Sequence, residues 1–343
     1  MRKPMFENIL KILRGEAPAR PTLFEFYLNQ PLYEKMAGFP AAAGKDWLSD
    51  TRLLTTAFMK LGYDYATVLG SDFYFPAGEV KEEKSHSLND GACLTDWESY
   101  NAYRWPDPAG FDYSRLDEAR AHLPEGMKLI VWGNGGILET VIRLTGYDNL
   151  CMMFYDDKAL AAEIFNQVGS RFVRYYELCA GYDTVGALIS NDDWGFNTQT
   201  MLSPDLLREH VFPWHKKIVE TIHAQGKPAV LHSCGKLDAV MEDIICAMKY
   251  DGKHSFQDNI ETVEDSYKKW GDRIAILGGL DLDFICRNTP EHIFQRAKAM
   301  VELGKTGYGL GSGNSIPTYA PEDNYFAMTR AALGYDPREE QAV

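Results

Sequence analysis

The chain has 343 residues, 45% of them hydrophobic, and carries 35 Lys and Arg against 49 Asp and Glu, a net charge of −14. That length suits one large α/β domain, and an acidic chain without clustered Lys and Arg excludes a nucleic-acid binder. No apolar run approaches the ~20 residues that span a bilayer, and the start Met1-Arg2-Lys3-Pro4-Met5-Phe6 lacks the apolar core of a signal peptide.

In chain order, eight short apolar runs recur at residues 21–29, 64–72, 128–136, 184–191, 228–235, 250–258, 274–281 and 307–314. Several are rich in Val, Ile and Leu, as strands buried on both faces are. Amphipathic helical stretches separate them. Leu160, Ile164, Phe165, Val168 and Phe172 share a face before the fourth run. Leu206, Leu207, Val211, Trp214, Ile218 and Ile222 do so after it, with a kink expected at Pro213. Residues 236–248 place Leu237, Val240, Met241, Ile244, Ile245 and Met248 on one face. Eight strands alternating with helices predict a (β/α)8 TIM barrel, one domain over 1–343. Residues 73–127 exceed one crossover, so an insertion is expected after the second strand, over the barrel mouth, with Trp97, Tyr100, Tyr103 and Trp105 packed in it.

Each run ends in polar or glycine-rich residues, and in this fold those ends meet on the face where active sites form. Among them is the glycine run Gly133–Gly136, a weak match to a phosphate cradle because no Lys-Ser/Thr follows. The sharpest feature is Leu231-His232-Ser233-Cys234-Gly235. On a strand, residues two apart face the same side, so His232 and Cys234 are placed together at a strand end, an imidazole and a thiolate suited to Zn2+. Cys286, just past the seventh run, is the expected third metal ligand, with Asp193, Asp258 and Asp283 as oxygen-donor substitutes. His254 and Asp193 are the candidate catalytic residues, His254 for proton transfer or substrate binding. Phe26, Tyr27, Tyr74, Trp132 and Trp194 are candidate walls of a pocket for a planar substrate. His210, His215, His223 and His292 fall on helices and read as surface or packing residues, while His86 and His122, in the long excursion, carry no assignment. The six scattered cysteines, including Cys93, Cys151, Cys179 and Cys246, predict reduced thiols, no disulfide and a cytoplasmic protein.

The segments Val230-Leu231-His232-Ser233-Cys234-Gly235-Lys236-Leu237, Ile276-Leu277-Gly278-Gly279-Leu280-Asp281 and Gly309-Leu310-Gly311-Ser312-Gly313-Asn314-Ser315-Ile316-Pro317, with Pro321-Glu322-Asp323-Asn324-Tyr325 after them, resemble the uroporphyrinogen decarboxylase superfamily over nearly the whole length. True decarboxylases of that superfamily hold a polycarboxylate substrate with an arginine-rich Arg-Gln-Ala-Gly-Arg segment. Here the matching stretch is Phe24-Glu25-Phe26-Tyr27-Leu28-Asn29-Gln30-Pro31, without arginine. The branch of zinc-dependent, cobalamin-linked methyltransferases carries His-x-Cys-Gly on the same strand, matched at His232, Cys234 and Gly235. Its thiol-methylating members have a cysteine where this chain has Ser312.

The resemblance therefore implies a methyltransferase on the methyl-donor side. It would take a methyl group from a small donor, such as a methoxylated aromatic, and pass it to a corrinoid on a partner protein, since no cobalamin-binding domain is recognisable. Two alternatives stand beside it: a metal-free decarboxylase using Asp72 and tyrosines, and a non-catalytic barrel that binds a tetrapyrrole or corrinoid.

Overall fold

The structure is a computed structural model, and it describes residues 2–78 and 87–339. Its centre is a curled, wholly parallel sheet of seven strands in sequential order: β1 (Tyr65–Leu69), β2 (Lys128–Trp132), β3 (Val185–Asn191), β4 (Ala229–His232), β5 (Gly252–His254), β6 (Ala275–Leu277) and β7 (Tyr308–Gly309). These runs are almost entirely buried, because the sheet packs side chains inside its curl and helices outside. An α/β fold of this kind is compatible with a TIM-type barrel.

Eight strands were expected, and the run 21–29 is not one of them. It touches the far side of β7 through two isolated parallel bridges, Leu23 with Leu310 and Leu28 with Ile316. Three backbone bonds join it there, Phe24 to Leu310, Leu310 to Thr22 and Ile316 to Tyr27, and side chains satisfy further groups. The Glu25 amide donates to the Tyr65 hydroxyl at 2.6 Å, that hydroxyl donates back to the Glu25 carbonyl at 2.8 Å, and the Leu28 amide donates to the Tyr33 hydroxyl. Buried phenols thus stand in for a ladder against β1.

The helical stretches follow their apolar periods with local departures. The stretch after β3 is a short helix at Pro204–Leu206, a π-helical turn at Leu207–Val211, then the helix Phe212–Ala224. Pro213 opens that last helix, so the expected kink is a π-bulge beside a proline. Residues 236–248 form a 3₁₀ turn (Asp238–Val240) and a π-helical turn (Asp243–Met248) rather than one α-helix.

Between β1 and β2 the described residues form two short helices, Trp97–Ala102 and Ser114–Glu118, with 3₁₀ turns. The aromatic residues of this segment pack on one another, Trp97 on Tyr100 and both Tyr100 and Tyr103 on Trp105, and the cluster rests on the long helix Lys158–Ala180. Tyr100 donates to Glu163, and Arg171 lies over the Trp105 ring at 5.3 Å. His86 lies outside the described residues, and His122 is exposed beyond a 3₁₀ turn. All six cysteines are free. Among the described residues no helix is long and apolar enough to cross a membrane.

Candidate metal centre

The C-terminal ends of β3, β4 and β5 build one cluster. Strand register sets Asn191 beside His232 and His232 beside His254. The Nδ1 atoms of His232 and His254 are 2.7 Å apart, so one imidazole donates to the other. Cys234, two residues on, brings its Sγ to 3.8 Å from His232 Nε2. Asp193 accepts the Cys234 backbone amide at 2.8 Å. Ligand atoms of Asp193, His232 and Cys234 all lie within 4.8 Å of one another.

Gly235 is required by this turn. Its φ is +89°, and a Cβ there would meet the Gly195 backbone at 2.1 Å. The loop after β3 and the loop after β4 are therefore in backbone contact, which brings Asp193 to the His-x-Cys segment.

Electrostatics follow from depth. Burial pushes the His232 pKa down to about 4, against the pull of Asp193, so its imidazole is neutral at pH 7. Burial, then the Asp193 charge, pushes the Cys234 thiol up to about 12, although Ser255 and Asn314 both donate to its sulfur, at 3.1 and 3.5 Å. A neutral imidazole, a carboxylate and a thiol that ionises only beside a cation form a donor set fit for a divalent metal.

Behind this cluster stands a second carboxylate with another job. Asp192 is fully buried and accepts four hydrogen bonds, from the amides of Leu138 and Glu139, from Trp194 Nε1 at 2.8 Å and from His215 Nε2 at 2.9 Å. His215 is held in turn by the Tyr250 hydroxyl at 2.8 Å. This hub caps the helix Ile137–Thr145, and a Cβ at Gly136 would lie 2.2 Å from Asp192 Oδ1. The amides of Gly136, Leu138 and Glu139 are taken by the protein's own carboxylates, which removes the phosphate-cradle reading of the glycine run.

The expected residues distribute as follows. His232, Cys234 and Asp193 come together, and His254 stands behind His232, buried and away from solvent. Cys286 does not join. Asp281, four residues past β6, caps the helix Leu282–Arg287, so the chain turns into a helix and carries Cys286 to the wall of a neighbouring depression that it shares with Asp283 and with Asn314, the donor to Cys234. Asp258 and Asp283 are committed to Arg296 and Arg287.

Among the aromatic residues, Trp194 is no pocket wall. It is wholly buried, bonded to Asp192 and set edge-on to His215 at 4.7 Å. Phe26 is buried with its ring 4.5 Å from that of His232, while Tyr27 and Trp132 lie half-buried and stacked at 6.0 Å beside it. Tyr74 is 48% exposed. His210 packs on Phe154 and Phe165, and His223 pairs with Asp251, as expected of helix residues. His215 is the exception, since it points inward to Asp192.

Sequence reasoning also missed Glu139 and Glu25. Glu139 reaches solvent, yet it is ringed by protein and faces Asp192 and Asp193. That enclosure, then those two charges, pushes its carboxyl up to about 8. The spacing Gly136-x-x-Glu139 at a helix start was its available signal. Glu25 is fully buried, and its carboxyl is pushed up to about 8 by desolvation although the Ser312 amide donates to it and the Ser312 hydroxyl lies 2.7 Å away.

The family model of uroporphyrinogen decarboxylase (URO-D) matches residues 66–335, which include β2 to β7 and all of β1 but Tyr65. The chain belongs to the uroporphyrinogen decarboxylase family. Among solved structures, a methyltransferase from Methanosarcina mazei shares the fold with a TM-score of 0.68 at 14% identity, over 100% of both chains. A putative vitamin-B12 independent methionine synthase from Listeria monocytogenes follows with a TM-score of 0.51 at 10% identity, over 99% of both. Comparison with curated proteins finds no relative by sequence. Within the uroporphyrinogen decarboxylase family this chain has Asp72 beyond β1 largely exposed and paired with Arg115, outside the His232 cluster.

Proposed function

We propose that this member of the family is a zinc-dependent methyltransferase that moves a methyl group from a small donor, a methoxylated aromatic, to a corrinoid carried by a separate protein. In this reading the chain works in the cytoplasm as a single (β/α)8 domain, and the corrinoid is a substrate on its partner rather than a resident group. The observation that carries the reading is the convergence of Asp193, His232 and Cys234 at the strand ends, beside a run 21–29 that keeps no arginine beyond Pro21. A fold shared with a methyltransferase supports it.

Asp193, His232 and Cys234 are the residues that would hold the metal. Bound there, Zn2+ supplies a Lewis acid for the donor's ether oxygen, making phenolate the better leaving group. The chain's own side chains do the rest. Tyr27 and Trp132 offer apolar ring faces to orient a planar donor. Phe26 backs the His232 ring and keeps water from its inner face. His254 fixes the rotation of His232 through the Nδ1 contact.

The test mixes the purified protein, a reduced corrinoid protein and a panel of methoxyarenes, and reads methylation of the corrinoid from its visible spectrum. Zinc should be found at one per chain. No methylation across a broad panel, or turnover of uroporphyrinogen by metal-free protein, overturns the reading.

A further inference from the structure

Strand β5 points two consecutive side chains in opposite directions. His254 enters the sheet's interior, so Lys253 enters the layer between sheet and helices. There Lys253 is only 5% exposed, among Leu237, Met241, Ile260 and Trp270, with Asp238 and Glu261 on the same cavity wall paired to Lys269. Among the described residues it makes no ion pair. Its ammonium donates to the Ser255 carbonyl at 2.7 Å and lies 4.3 Å above the Phe256 ring. Desolvation lowers its pKa to about 8, against the pull of Cys234, Asp193, Glu261 and Asp238. A buried, unpaired ammonium is costly, and what it does here is grip one carbonyl.

That carbonyl belongs to a strained residue. Ser255 has φ +84°, and among the described residues only Lys249 is another non-glycine residue with positive φ. Such conformations persist where the surroundings enforce them. The result of this one is that Ser255 Oγ sits 3.1 Å from Cys234 Sγ as a donor.

We propose that Ser255, propped from below by Lys253, is a positioning residue for Cys234: its hydroxyl fixes the direction of the sulfur and damps the sulfur's own nucleophilicity. The inference rests on Cys234 being a metal ligand in the reading above. A thiolate beside an electrophilic methyl group is itself a methyl acceptor, and a hydrogen bond donated to its lone pair withdraws charge from that competing nucleophile.

The experiment loads Co2+ into the wild type and into Ser255→Gly, Ser255→Ala and Lys253→Met proteins, and records the sulfur-to-cobalt charge-transfer band. Alkylation of Cys234 by iodoacetamide is followed in the same samples by peptide mass. Both Ser255 variants remove the donor, but only glycine is at ease at φ +84°. The proposal expects the same shift of the band to lower energy in both, with alkylation faster by roughly fivefold, the worth of one hydrogen bond. Lys253→Met should shift the band in the same direction by less. A wild-type band shared by Ser255→Gly, with a change in Ser255→Ala alone, makes the role one of backbone packing and overturns the proposal. So does an unchanged alkylation rate in both Ser255 variants. A wild-type protein that binds cobalt without any sulfur band overturns the metal reading of Cys234 itself, and the inference with it.

Discussion

Two rims of the same strand-end face carry similar chemistry and use it differently. On the β3–β5 rim, Asp193, His232 and Cys234 leave their strands at the last residues or just beyond, so the strand directions aim them at one point. On the β6–β7 rim, Asp281, Asp283 and Cys286, joined by Asp258 from the loop after β5, offer a comparable inventory of oxygen and sulfur. Asp281 spends its oxygens on the amides of Phe284 and Asp258, Asp283 and Asp258 meet arginines, and Cys286 rides away on a helix. Residue type is shared between the rims. Distance from the end of a strand, and whether carboxylates are taken up by arginines, separates them.

The largest test of that contrast pairs two cysteines. Cys234→Ala should lose metal entirely and methyl transfer with it, because the thiolate supplies both binding energy and charge. Cys286→Ala should keep full metal content. Metal analysis of both proteins after dialysis checks this, and zinc retained at one per chain by Cys234→Ala would break the contrast.

Adjacent aspartates provide the next comparison. Asp192→Ala leaves His215, Trp194 Nε1 and two helix amides without their shared acceptor, and removal of one partner from a buried charged network costs about 3–5 kcal/mol. Its thermal midpoint should fall steeply. Asp193→Asn should leave the midpoint nearly unchanged and weaken metal binding. Equal midpoints for the two variants would show that Asp192 is not the hub the geometry describes.

Glu25 on the opposite side gives a pH signature. Its carboxyl is protonated in the fold up to about pH 8, whereas an unfolded glutamate ionises near 4.5. The folded state therefore binds the extra proton, so this group's contribution is full below the unfolded value and is lost as pH rises toward 8. The loss is roughly 4 kcal/mol across that window, at about 1.4 kcal/mol per unit. Glu25→Gln mimics the neutral acid and should flatten the decline. Denaturant midpoints at pH 5 and 8 for both proteins measure it, and parallel declines would assign the pH dependence elsewhere.

Much of this layout could be read before the coordinates. Seven of eight strands were legible because buried parallel strands are short Val, Ile and Leu runs. The run 21–29 is apolar but holds no Val or Ile, and its hydrogen bonds are divided between backbone bonds with Leu310 and Ile316 and the hydroxyls of Tyr65 and Tyr33, distant or local side chains that no strand pattern encodes. His232 and Cys234 were legible from a period of two. Asp193 was legible as an oxygen donor, but the role of Asp192 was not, since a single-residue difference in facing just past β3 decides which of the two is buried. His215 had a signal that went unused. Val211, His215, Ile218 and Ile222 are spaced four, three and four apart and all are buried, so the histidine belongs to the inward stripe of its helix.

The smallest expected effect concerns which imidazole holds the proton between His232 and His254. Two neutral rings whose Nδ1 atoms lie 2.7 Å apart share one hydrogen. If His232 is to present a lone pair at Nε2 toward Cys234 and Asp193, its hydrogen must be on Nδ1 and must be donated to His254. His254 then carries its own hydrogen on Nε2, a buried atom without a hydrogen-bond partner of good geometry but close to the Ser312 carbonyl, which favours a proton on that ring. His254 is thus the acceptor that sets the tautomer of its neighbour, the arrangement metal-binding histidines commonly use. His254→Leu removes that acceptor and should weaken metal affinity by about 10–100-fold. His254→Gln, which keeps an oxygen acceptor, should recover part of the loss. Competition with a chromophoric chelator measures both. Equal affinity for wild type and His254→Leu would show that His232 needs no partner, and equal losses for Leu and Gln would show that ring packing against Phe24 and Phe26, rather than the hydrogen bond, is what His254 contributes.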